Sequence, residues 1–98
     1  MEKWTPHCPL AAVKSLVIAG RIRVTSSALA GATSLDLGFS EIVAVVGALT
    51  ARDFHKSMTT HADHTIWQDV YRPRTSVGQL YVKLTVLDDV LVVSFKDL

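Results

Sequence analysis

The chain has 98 residues and a mass of 10.7 kDa, which makes one small domain spanning residues 1–98 and excludes a second core. Hydrophobic residues at 49% supply that core and exclude a disordered chain, while charged residues at 19% leave a hint of surface covered by a partner. A net charge of +1 excludes a bulk cationic field, so any nucleic-acid contact rests on a few placed cations.

The opening Met1-Glu2-Lys3-Trp4 lacks an apolar signal segment, and the longest apolar run, Ile42 to Leu49, is too short for a bilayer. The lone Cys8 excludes an internal disulfide. Together these features predict a cytoplasmic protein with no membrane association.

Pro9 followed by Leu10, Val13, Leu16 and Val17 has helical spacing, with Gly20 as its C-terminal cap. Arg21 to Val24 alternates as a short strand. A second helix begins near Thr25 with Ala28, Leu29, Ala32 and Leu35 on one face, and Gly31 inside it carries a penalty of about 1 kcal/mol against Ala. In a third helix Ser40 is the expected N-cap, Glu41 suits the positive end of the dipole, and Ile42, Val45, Val46 and Leu49 recur on one side. Thr50-Ala51-Arg52-Asp53 has the spacing of a capping box that starts a single helical turn.

From His55 the character changes to strands, over His55 to Thr60, Thr65 to Arg72, and a hairpin from Gln79 to Lys96. With Asp88-Asp89 as a two-residue turn, Val82 faces Phe95, Leu84 faces Val93 and Val86 faces Leu91, all apolar and on one side. The other side pairs Tyr81 with Lys96, Lys83 with Ser94 and Thr85 with Val92. The predicted architecture is α+β, with about three N-terminal helices packed on one face of a mostly antiparallel C-terminal sheet.

The chain has no Gly-rich phosphate loop, paired-cysteine zinc spacing, nucleophile elbow or two-His-plus-Glu helix motif. With Glu2 and Glu41 as the only glutamates, carboxylate-pair glycosidase chemistry is disfavoured. His61, Asp63 and His64 have two readings, a metal or acid–base cluster completed by His55, and a polar loop in which Asp63 or His64 caps backbone groups. The reading favours the loop and predicts no metal and no cofactor. His7-Cys8 reads as structural, with an inert thiol.

The polar sheet face is the stronger site. Lys56, Met58 and Thr60 share one face of the first strand, and Gln68 and Arg72 share one face of the second. Tyr81 and Lys96 lie on the polar face of the hairpin. A merely solvated face is the plainer account, since strands commonly alternate. Against it, Gln68 and Arg72 share their side with Ile66 and Val70, while Trp67, Asp69 and Tyr71 lie on the other, a mixture typical of a site.

The stretch Lys56-Ser57-Met58-Thr59-Thr60-His61-Ala62-Asp63-His64-Thr65-Ile66-Trp67-Gln68-Asp69-Val70-Tyr71-Arg72-Pro73 closely resembles the signature region of the MqsR toxins. Thr5-Pro6-His7, Ala19-Gly20, Ser27-Ala28-Leu29, Asp53-Phe54 and the tail Asp89 to Lys96 extend the likeness along the chain, with His55 a departure where the family often has tyrosine. The resemblance implies a RelE-like ribonuclease fold and a metal-independent mRNA interferase that cuts single-stranded mRNA at GCU-type sites. It also implies inhibition by a cognate MqsA-type antitoxin, a zinc-containing helix-turn-helix DNA-binding protein, with no specific DNA binding by the toxin alone. The family's catalytic residues map onto Lys56, Gln68 and Tyr81, with Met58, Arg72 and Lys96 as substrate-binding neighbours. RNA supplies its own nucleophile, the 2′-hydroxyl, so such a site needs a base, an acid and cations. Which residue is base and which acid stays open, as does a non-catalytic module that holds RNA or protein on the same face.

Overall fold

Pro9, with no N–H to leave unpaired, opens α1 (Leu10–Ile18), and its carbonyl accepts from Ala12 and Val13. Gly20 follows the helix with φ +75°, a conformation glycine adopts freely, and turns the chain into β2 (Ile22–Val24). Thr25 caps α2 (Ser26–Thr33) by accepting the Ala28 N–H on its hydroxyl at 3.0 Å. In α3 (Phe39–Gly47) the cap falls on Gly38, not on Ser40 as expected. Glu41 is the reason: its carboxylate reaches back to the Gly38 N–H at 2.6 Å and takes the Ser40 hydroxyl on its other oxygen. Both bonds hold the Glu41 carboxyl below the usual carboxylate range. A single 3-10 turn, Ala51–Asp53, follows as predicted, with Asp53 accepting from the Thr50 N–H at 2.7 Å.

The structure, a computed structural model, describes all 98 residues. The remaining elements are β1 (Glu2–Lys3), β3 (Phe54–Thr59), β4 (Trp67–Tyr71), β5 (Arg74–Thr75), β6 (Gly78–Val86) and β7 (Val90–Asp97). The main sheet runs β1-β3-β4-β6-β7-β2, antiparallel except for β2 beside β7, and β5 pairs with the start of β6. Helices above a mostly antiparallel sheet make the α+β architecture that the pattern predicts. No helix is long and apolar enough to cross a membrane.

Between the layers lies one cluster of fully buried side chains, including Val13, Ile42, Val46 and Leu49 from the helical half and Leu80, Val82, Leu84, Val90, Val92 and Phe95 from the hairpin. Those six hairpin residues also correct the expected register. Val82–Phe95, Lys83–Ser94 and Tyr81–Lys96 pair as predicted, but Leu84 then pairs with Val92, Thr85 with Leu91 and Val86 with Val90. Val93 is an extra residue, a β-bulge, and the turn holds three residues, Leu87 to Asp89. Asp89 is pulled out of the two-residue turn by Arg21, whose guanidinium donates to its carboxylate at 2.8 Å and to the Asp88 carbonyl at 3.0 Å. The bulge is tied down as well, since the Thr25 hydroxyl donates to the Val93 carbonyl.

Gly31 has a use beyond tolerating a helix. A Cβ built on it would overlap the carbonyl oxygen of Phe95, so only glycine lets α2 lie this close to β7. Gly31→Ala is expected to lower stability by about 1–3 kcal/mol, as overpacking does. Gly47→Ala, whose new Cβ meets only Val17 Cγ1 at 3.8 Å, is expected to be neutral or stabilising by up to about 1 kcal/mol. Chemical denaturation of the two variants checks this; similar losses from both would show that backbone approach is not the constraint.

Candidate active site

Side chains alternate sides along a strand, so a second bulge decides what the helix-free face carries. Phe54 pairs with Tyr71 and Lys56 with Val70, leaving His55 without a partner. Phe54 therefore turns inward, its ring edge-on to Tyr71 at 5.5 Å, while Lys56 two residues later points to the opposite face. From there β3 contributes Lys56 and Met58, β4 Gln68 and Val70, β6 Tyr81 and Lys83, and β7 Ser94 and Lys96, while Arg72, directly after β4, continues the alternation two residues beyond Val70. All six residues singled out in the sequence, namely Lys56, Met58, Gln68, Arg72, Tyr81 and Lys96, share this face.

The face has a buried floor. Val70 is fully buried yet stands apart from the core cluster, flanked by its register partners Lys56 and Lys83. Both lysines are half-buried, and such side chains cover apolar surface with their aliphatic stems. Thr85 beside it is also buried and donates to the Trp67 carbonyl at 2.8 Å.

Each cation has a distinct setting. Lys56 Nζ lies 2.6 Å from the Glu2 carboxylate, a contact made because β1 pairs Glu2 with Met58. Lys56 holds the Glu2 carboxyl below its ordinary range. Lys96 Nζ sits over the Tyr81 ring, 5.2 Å from its centroid, so the pair meets as cation and aromatic face. Arg72 Nε is buried without a hydrogen-bond partner in the chain, while its backbone is fixed by N–H to Asp53 O at 2.7 Å and by the Gln79 amide on its carbonyl. Lys83 has no carboxylate partner; burial first, and then the Lys96 charge, lower its ammonium pKa.

The sequence reading placed Lys83 on this face but gave it no role, because alternation shows a side and not a depth of burial. Glu2 was missed outright, since a two-residue strand has no periodicity to detect.

The mixed strand β4 has a physical reason on its other side. Asp69 is buried, and its two oxygens accept the backbone N–H groups of His7 and Cys8 at 3.0 and 3.1 Å. His7 stacks on Trp67 with ring centroids 5.6 Å apart, and Lys3 lies over the same ring. His7-Cys8 is thus structural, and burial, followed by Asp69, pushes the Cys8 thiol up and away from reactivity. In the 61–64 loop Asp63 accepts both the N–H and the hydroxyl of Thr65, which keeps its carboxyl below the usual range, and His61 and His64 are exposed.

The chain is similar to known proteins along nearly its whole length. The family model for the motility quorum-sensing regulator, toxin of MqsA, matches residues 5–97. The mRNA interferase toxin MqsR of Escherichia coli K12 is 58% identical over 97 residues, covering 99% of each chain.

Lys83 makes the site's electrostatics measurable. Its folded pKa lies below its unfolded one, so the folded state holds fewer protons and the lysine opposes folding at neutral pH. That penalty fades as pH rises to the unfolded lysine value near 10.4. Lys83→Met, which keeps the stem, is expected to melt above the wild type at pH 7 and to lose that advantage towards pH 10.5 (about the unfolded value). Thermal melts across this range check it; a gap that widens with pH would contradict it.

Proposed function

The chain belongs to the MqsR toxin family, and from that premise we propose that it is an mRNA interferase, the toxin of a type II toxin–antitoxin system that cuts mRNA at GCU-type sites without a metal. The observation that carries this reading is the convergence of Lys56, Gln68 and Tyr81, from three different strands, on the helix-free face of the sheet. A non-catalytic holding surface needs cations, but it does not need an amide and a phenol beside them.

The chemistry follows from the groups present. The ribose 2′-oxygen attacks the neighbouring phosphorus and loses its proton to a base on the face. The bond from phosphorus to the 5′-oxygen breaks, and that oxygen takes a proton from an acid. The products are a 2′,3′-cyclic phosphate and a 5′-hydroxyl. Lys56, held in place by Glu2, and Arg72 offset charge on the non-bridging oxygens, where Arg suits two-point phosphate binding. The Tyr81 hydroxyl serves as the acid, and Lys83, in its uncharged amine form, accepts the 2′-proton. Gln68 orients the ribose or a base edge with its paired donor and acceptor. Met58 offers an apolar surface to a base, and Lys96 binds the backbone beside Tyr81.

Metal independence is supported by the donor set: the face's one acidic residue, Glu2, is engaged by Lys56. The partner in this reading is an MqsA-type antitoxin, zinc-containing and DNA-binding, and the compartment is the cytoplasm.

The test is cleavage of one defined RNA containing GCU, in EDTA, with the ends mapped. Cyclic-phosphate and 5′-hydroxyl ends are expected; 3′-hydroxyl ends, or activity restored only by a divalent ion, would overturn the mechanism. Tyr81→Phe and Lys56→Ala should each lower the rate by about 10²–10⁴-fold while shifting stability by under about 1 kcal/mol. A Tyr81→Phe variant that cuts at the unmodified rate would make Tyr81 a packing residue.

A further inference from the structure

Where β3 begins, β4 ends and β6 begins, the sheet frames a cleft of about 410 Å³ whose wall is almost entirely polar. Three arginines line it, Arg52, Arg72 and Arg74, together with His55 and Gln79. The arginines come from separate places: the 3-10 turn, the residue after β4, and β5. None of the three forms an ion pair, and none of their side chains donates a hydrogen bond within the chain. The cleft's one carboxylate, Asp53, takes the N–H and hydroxyl of Thr50 on one of its two oxygens. Three cations facing one engaged carboxylate, with an Arg72 N–H buried and unpartnered, leave a concave surface that lacks an anion.

We propose that this cleft is a second phosphate subsite, which holds a backbone phosphate of the RNA adjacent to the one being cut. The assignment rests on the RNA-cleaving reading, because continuity with the catalytic face selects RNA as the source of the phosphate. Arg72 belongs to both surfaces, and His55 directly precedes Lys56. At the rim, Trp4 is 68% exposed and edge-on to His55 with ring centroids 6.4 Å apart, an arrangement that offers a stacking surface to a flanking base. Arginine suits the role because its fork donates two parallel bonds to a phosphate.

The experiment compares wild type with the double variant Arg52→Gln/Arg74→Gln, measuring KM and kcat on one RNA, and binding of its uncleavable 2′-deoxy form, across a salt series. Losing two single-strand phosphate contacts should reduce the slope of log affinity against log salt by about 1.4 and raise KM roughly tenfold at 0.15 M salt (an extrapolation of that slope). KM should move more than kcat. Arg23→Gln, a cation paired with Asp89 on the far edge strand, should leave the slope unchanged. Thermal melts accompany each variant; if the double variant fails to fold, each single one should reduce the slope by about 0.7. An unchanged slope in the double variant overturns the subsite. A wild type that binds the 2′-deoxy RNA with the full slope but cuts no RNA would instead overturn the enzymatic reading and leave the subsite standing.

Discussion

The phase change at His55 is the constraint on which the two faces of this protein depend. A strand without it would put Lys56 on the same side as Phe54, driving an ammonium group towards the helices and the core. One unpaired residue reverses that: Phe54 keeps its contact with Tyr71, and Lys56 emerges on the open face beside Val70. Val93 performs the matching operation on β7. It lets Val92 and Phe95, an odd number of residues apart, both face inward, while Ser94 and Lys96 face out. Bulges of this kind re-aim side chains at the edge of regular pairing, and here both separate a buried apolar layer from a cationic one.

The open face depends equally on the N-terminal segment. Asp69 gathers the backbone N–H groups of His7 and Cys8, and Trp67 takes His7 and Lys3 against its ring. This clasp lies on the helix side of β4, yet it fixes β1 along β3 and so brings Glu2 to Lys56 on the other side. A buried carboxylate that satisfies two backbone donors is far less costly than one left alone, which explains an acidic residue within an otherwise inward-facing series. Tyr71 is the unresolved polar atom of the core: its hydroxyl finds no partner, and burial, then the Asp69 charge, pushes the phenol up to about 12.

Much of this was legible in the sequence. The amphipathic helices, the start of the second near Thr25, the strand half and most members of the helix-free face follow from periodicity, and the resemblance to the MqsR toxins rests on a long unbroken motif. What was illegible has physical causes. Val90 to Val93 is continuously apolar, so it carries no phase information, and the bulge at Val93 left no mark in the pattern. The turn at Leu87 to Asp89 is set by Arg21, a residue distant in sequence whose reach no local rule describes. Ser40 looked like a cap because its residue type favours one, but Glu41 could satisfy the Gly38 N–H from the next turn. The arginine cleft is assembled from three segments, and only the folded sheet brings them together.

The central claim, that the helix-free face is where RNA is bound and cut, is tested most directly by NMR titration with an RNA whose scissile nucleotide carries a 2′-deoxyribose. Without the 2′-hydroxyl the RNA is bound but not consumed. The account predicts that the largest shifts fall on Lys56, Met58, Gln68, Arg72, Tyr81 and Lys83, with little change at Ser15, Ala30 and Ala44 on the helical layer. Shifts concentrated on the helices, with the sheet face silent, would contradict it.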